Sequence, residues 1–110
     1  MQARERQVAE NEVRFRALNE RLSASGGAWE GHDGVLSLVC ECGNEDCTTS
    51  IRLTPAEYEA VRAEETQFVV VPGHIRPEAE DVVSEQEGWV VVRKRGEAAA
   101  IAAANDPRGG

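Results

Sequence analysis

The chain has 110 residues, 20 acidic against 12 basic, for a formal net charge of −8. That is the length of one domain, and the acidic balance argues against non-specific binding to nucleic acid or anionic membrane. No run approaches the roughly 18 consecutive apolar residues of a membrane span, and Met1-Gln2-Ala3-Arg4-Glu5-Arg6 lacks the apolar stretch of a signal peptide, so a cytoplasmic protein is expected. With only two Trp, one Tyr and two Phe, the core must be small, and a bound metal is one of the staples open to such a core.

Four parts are predicted: an N-terminal helix at 1–25, a linker at 26–34, a zinc-binding α+β domain at 35–104 and a disordered tail at 105–110. The first segment favours helix, and Val8, Phe15, Leu18 and Leu22, with Asn11 between them, form a narrow stripe that should pack on the domain or meet a partner helix. The glycine-rich linker holds Trp29, expected to fold back on the core, and His32. Residues 35–40 and 48–53 read as strands flanking a knuckle. Thr54-Pro55-Ala56-Glu57 is a capping box opening a helix to about Glu64, with Tyr58 and Val61 inward and Glu57, Glu59, Arg62 and Glu65 solvated.

A further strand, 67–71, is stopped by Pro72-Gly73, and His74 follows at once. Pro77 should open another short helix with Ala79, Val82 and Val83 on one face, ended by Gly88 before a strand at 89–92. Arg93-Lys94-Arg95 reads as a solvated strand exit. The alanine-rich 97–105 segment permits helix but is too short to hold without docking. The expected fold is therefore α+β: an N-terminal helix, a small antiparallel sheet with two short helices, and a zinc knuckle.

Cys40, Cys42 and Cys47 lie within eight residues, and three thiols cannot all pair within one chain. In an extended chain Cys40 and Cys42 project to the same side, and the turn-forming Gly43-Asn44-Glu45-Asp46 can return Cys47 to them. Soft thiolates suit Zn²⁺, whose structural sites close with four tetrahedral ligands. His74, fixed at a turn, is favoured as the fourth; His32, Asp46 and an exchangeable water are the alternatives. The competing explanations for the cysteines are small buried hydrophobes or a redox-active pair.

The cysteine run, with Leu53-Thr54-Pro55-Ala56-Glu57-Tyr58, Phe68-Val69-Val70-Val71-Pro72-Gly73-His74 and Gly88-Trp89-Val90-Val91-Val92, resembles a family of small uncharacterised actinobacterial-type proteins. The resemblance covers most of residues 11 to 94 and implies that the cysteines and the Pro-Gly-His histidine form one site. It carries no activity over. The basic Arg93-Lys94-Arg95 departs from the more acidic ending of that pattern.

The functional expectation is a non-enzymatic zinc protein with a structural Cys3His site, serving protein interaction or regulation through the N-terminal helix or the acidic surface. The alternatives are a thiol sensor that releases zinc on oxidation and a nucleic-acid-binding knuckle, the latter opposed by the charge. The chain lacks the His-x-Glu and Pro-Cys-x-x-Cys pattern of zinc deaminases, the His-Glu-x-x-His of metalloproteases, a phosphate loop and a dinucleotide fingerprint.

Overall fold

The computed structural model describes residues 3–25, 34–47 and 49–108. Along them run α1 (Ala3–Ser25), β1 (Leu36–Val39), β2 (Ser50–Leu53), α2 (Pro55–Arg62), β3 (Gln67–Val70), β4 (Glu80–Gln86), β5 (Trp89–Lys94) and α3 (Gly96–Ala104). The protein is α+β, with its strands divided between an antiparallel β1–β2 pair and a three-stranded antiparallel sheet in the order β3–β5–β4. Of the expected linker at 26–34, residues 26–33, with Trp29 and His32, lie outside the described residues.

Alternation sets the β1–β2 pair. Leu36 and Leu38 are buried and face Leu53 and Ile51 across the ladder, while Ser50 and Arg52 point outward. The same period of two carries Cys40 and Cys42 into the core behind Leu36 and Leu38. The other sheet is nearly continuous in apolar residues where it is central: Phe68, Val69 and Val70 of β3 and Trp89 to Val92 of β5 are all buried. Such strands are covered on both faces.

The capping box forms as its residues predict: the Glu57 amide donates to the Thr54 hydroxyl at 3.1 Å, and the Thr54 amide to the Glu57 carboxylate at 2.7 Å. Tyr58 and Val61 face inward, but so does Arg62, which the sequence placed on the solvated face. Its Nε donates to Glu20 of α1 at 2.7 Å and its guanidinium also meets Asp106, so its charge is met inside the fold. Asp106 and Arg108, expected in a disordered tail, are likewise engaged, Arg108 bridging Glu20 and Glu59.

The helix expected from Pro77 does not form. Ala79, Val82 and Val83 do fit one helical face, but β-branched valines also fit a strand, and a two-residue Glu87-Gly88 turn, with Gly88 at φ +87°, lets Gln86 pair with Trp89. Pairing with the buried β5 outweighs a short helix with little to pack against. A single turn at 76–80 remains, closed by the Ala79 and Glu80 amides on the Arg76 carbonyl, and Val83 bulges between Val82 and Ser84. The second short helix is the alanine segment instead: α3 is docked through buried Ala98 and Ala102.

α1 packs on the domain with a face that shares Asn11 and Leu22 with the expected stripe but is centred on its polar side. Ala9, Asn11, Glu12, Arg16 and Asn19 are buried, whereas Val8, Phe15, Leu18 and Leu22 are half-buried. The surface it covers offers polar partners, so polar side chains turn in. Arg16 donates to the carbonyls of Glu65 and Ala102 and lies over the Phe68 ring at 4.3 Å. Glu12 pairs with Lys94, which also holds Glu80. Lys94 is thus buried and neutralised rather than a solvated end; Arg93 pairs with Glu64, and Arg95 with Asp81.

Candidate metal centre

The centre forms where the two sheets meet. Within β1, successive residues point their backbone groups to opposite edges. The Cys40 amide donates to the Thr49 carbonyl across the β2 side, and the Glu41 amide to the Val69 carbonyl on the β3 side. Just before these contacts, no strand among the described residues lies beside the outward edge at Val39, and the Asn19 side chain fills that place. Its Nδ2 donates to the Val39 carbonyl at 2.8 Å and its Oδ1 accepts from the Val39 amide at 2.9 Å. The segment carrying the first two cysteines is therefore gripped by β2, β3 and α1 together.

Past Cys42 the chain reverses. Gly43 takes φ +82°, a left-handed conformation that side chains rarely adopt, and a Cβ there would meet Glu12 Cγ at 2.7 Å and the Val8 carbonyl at 2.8 Å. The Asn44 carboxamide oxygen accepts from the Asp46 amide at 3.0 Å, and the Cys47 amide closes on the Asn44 carbonyl at 2.9 Å. This Asx-type turn brings Cys47 back toward Cys40 and Cys42.

His74 arrives from β3. Pro72 and Gly73 occupy the middle of a turn in which Gly73 takes φ +94° and the His74 amide donates to the Val71 carbonyl at 3.1 Å. That is the chemistry of a type II turn, which needs positive φ at its third residue. The following Arg76 ties this arm to the knuckle, its Nε donating to the Cys42 carbonyl at 3.2 Å.

These two turns bring together all four residues singled out in the sequence. The ligand atoms of Cys40, Cys42, Cys47 and His74 lie within 4.8 Å of one another, close enough to hold a metal ion. His74 Nδ1 is 3.6 Å from Cys40 Sγ and 3.6 Å from Cys47 Sγ. Cys40 and Cys42 are buried, while Cys47 and His74 are half-buried at the rim. Of the alternative fourth ligands, His32 lies outside the described residues.

Backbone amides are aimed at the sulfurs. The Val71 amide donates to Cys40 Sγ at 3.3 Å, and the Asn44 and Thr49 amides donate to Cys42 and Cys47. Such donors favour the thiolate, whereas burial opposes it, and burial dominates at Cys40 and Cys42, whose thiols are pushed up. At Cys47 burial also pushes upward, but the Thr49 amide and hydroxyl prevail and hold the thiol below its ordinary range. A coordinated cation reverses the burial effect by deprotonating its thiols outright.

Three further residues build the centre without being candidate ligands. Asn19 also donates to the Glu41 carboxylate at 2.7 Å, and the other Glu41 oxygen accepts from the Val69 amide at 3.0 Å. Burial raises the Glu41 carboxyl to about 7. Asn11 donates to the Gly43 carbonyl at 3.0 Å. Asn11 and Asn19 stand eight apart, hence on one helical face, and asparagine is a poor helix former in a segment otherwise rich in Glu, Arg and Ala. That oddity is the signal the sequence offered.

No protein-family model, curated protein or solved structure matches this chain. Among the described residues no helix is long and apolar enough to cross a membrane.

Proposed function

We propose that Cys40, Cys42, Cys47 and His74 hold one Zn²⁺ in a closed structural site, and that the protein is a non-enzymatic cytoplasmic module for protein interaction or regulation. The observation that carries the zinc reading is the spacing of the ligand atoms. With Zn–S about 2.3 Å and Zn–N about 2.0–2.1 Å, tetrahedral coordination sets nitrogen and sulfur about 3.6 Å apart, the separation of His74 Nδ1 from Cys40 and Cys47. The soft sulfur-rich donor set favours zinc over magnesium or calcium.

Four protein ligands fill a tetrahedron and leave no position for a reacting water, which supports a structural role over a catalytic one. The partner reading draws on the half-buried Phe15 and Leu18 of α1 and on the acidic surface. Nucleic-acid binding is disfavoured by the engagement of Arg93, Lys94 and Arg95 with acidic residues. A second reading, release of zinc when Cys47 is oxidised, draws on the position of that sulfur at the rim.

The deciding experiment is metal analysis of the purified chain beside Cys47→Ala and His74→Ala. One equivalent of zinc in the parent and a large fall in affinity in each variant are expected. A metal-free parent, or a His74→Ala chain that binds as tightly as the parent, overturns the Cys3His reading. Peroxide that leaves zinc content unchanged at doses oxidising ordinary thiols disposes of the sensor.

A further inference from the structure

We infer that occupancy of the metal centre governs the docking of α1 on the rest of the fold. The inference rests on the zinc reading above and extends it to regulation. It starts from where α1 is held. Its anchors fall into two groups, one on the segment that carries Cys40 and Cys42, the other on the remainder of the domain.

The knuckle group is dense. Asn19 satisfies both backbone groups of Val39 and one oxygen of Glu41, Asn11 bonds the Gly43 carbonyl, and the absent Gly43 side chain is the space into which Glu12 Cγ and the Val8 carbonyl fit. Every one of these contacts depends on the path of residues 39–43. That path is set at its two cysteines by sulfur coordination once metal is bound. Three buried or half-buried sulfurs without a cation lose the interaction that holds them together, and the left-handed turn at Gly43 loses its tether to Cys47 and His74.

The second group is costly to bury. Arg16 is held by the Glu65 and Ala102 carbonyls and the Phe68 ring, and Glu12 by Lys94, which also serves Glu80. A buried ion pair returns little beyond its desolvation, and the only apolar side chain of α1 that is fully buried is the small Ala9. Besides these, α1 has the partly buried Val13 and Leu22 against the core and the Glu20 carboxylate on Arg62 and Arg108; without the knuckle contacts it therefore has little fully buried apolar surface to keep it in place. The β3–β5–β4 sheet, in contrast, rests on Phe68, Val69, Val70, Val90 and Val92, none of which is a candidate ligand.

Linkage makes the effect reciprocal: if zinc strengthens helix docking by some factor, weakening the docking must reduce zinc affinity by the same factor. Amide hydrogen exchange on the full chain, zinc-loaded and after chelation, reads one side; competition titration of zinc against a chelator for Asn11→Ala reads the other. On zinc removal, residues 8–22 should lose protection by about tenfold or more, while β3 and β5 keep theirs. Asn11→Ala, which alters no candidate ligand, should bind zinc more weakly than the parent.

A chain that binds and releases zinc with α1 protection unchanged overturns this inference and leaves the zinc reading standing. So does an Asn11→Ala chain with parental zinc affinity. Loss of protection throughout the sheet overturns it as well, because the metal would then hold the whole fold. A chain that binds no zinc refutes the zinc reading and this inference with it.

Discussion

Asn19→Ala removes the side chain that stands in for a missing strand. It leaves the amide and carbonyl of the half-buried Val39, and one oxygen of the fully buried Glu41 carboxylate, without their partner. A buried polar group left unsatisfied costs about 1–3 kcal/mol, a charged one more, so two to three such groups place the loss at about 3–5 kcal/mol. A domain of this size has only about 5–15 kcal/mol in total. Urea denaturation with zinc present should show the midpoint falling with an unchanged slope. Asn19→Asp keeps the shape but sets a second carboxylate against Glu41, so it should be at least as damaging at pH 7 and recover in part toward pH 5, where a shared proton replaces the lost donor. A loss below about 1 kcal/mol for Asn19→Ala would refute the view that this side chain satisfies the edge of β1.

Two glycines with positive φ should respond differently to alanine. Gly73→Ala meets nothing within 4 Å and should cost about 1 kcal/mol from its backbone alone, whereas Gly43→Ala adds a collision with α1 and should cost about 3 kcal/mol or more; equal thermal shifts in the two variants would count against the tight α1–knuckle contact. Burial raises the Glu12 carboxyl from 4.5 to about 7. The folded chain therefore holds a proton there that the unfolded chain has lost, and the contribution of Glu12 falls as pH rises through that window. Glu12→Gln should lose this dependence, so its stability relative to the parent should improve between pH 5 and pH 7.5; a constant difference is the contrary result. The Tyr58 hydroxyl is buried with no hydrogen-bond partner among the described residues, so Tyr58→Phe should be neutral or stabilising by about 1 kcal/mol, and a loss of that size in urea would show that the hydroxyl is satisfied after all.

Local chemistry was readable wherever a few adjacent residues sufficed. The capping box at Thr54 and Glu57, the Pro72-Gly73 turn that presents His74, and the parity that sends Cys40 and Cys42 inward all follow from short-range geometry. Reading failed where the choice belonged to a distant partner. Residues 80–86 carry a pattern that suits either period, and the strand β5 decides it. α1 shows an apolar stripe, yet its polar neighbours turn inward because Val39, Gly43 and Lys94 wait there with unmet hydrogen bonds and charge.

The amino-acid sequence determined by itself the class of fold, the turns, and which side chains were candidates for a metal, because these depend on residue type and on spacings of a few positions. Tertiary structure alone decided that the four candidate ligands converge, that Asn11, Asn19 and Glu41 build their support, and that Arg16, Arg62 and Lys94 are buried. Convergence joins residues 27 to 34 positions apart in the chain, and the partners that make a buried charge tolerable exist only once the chain has closed around it.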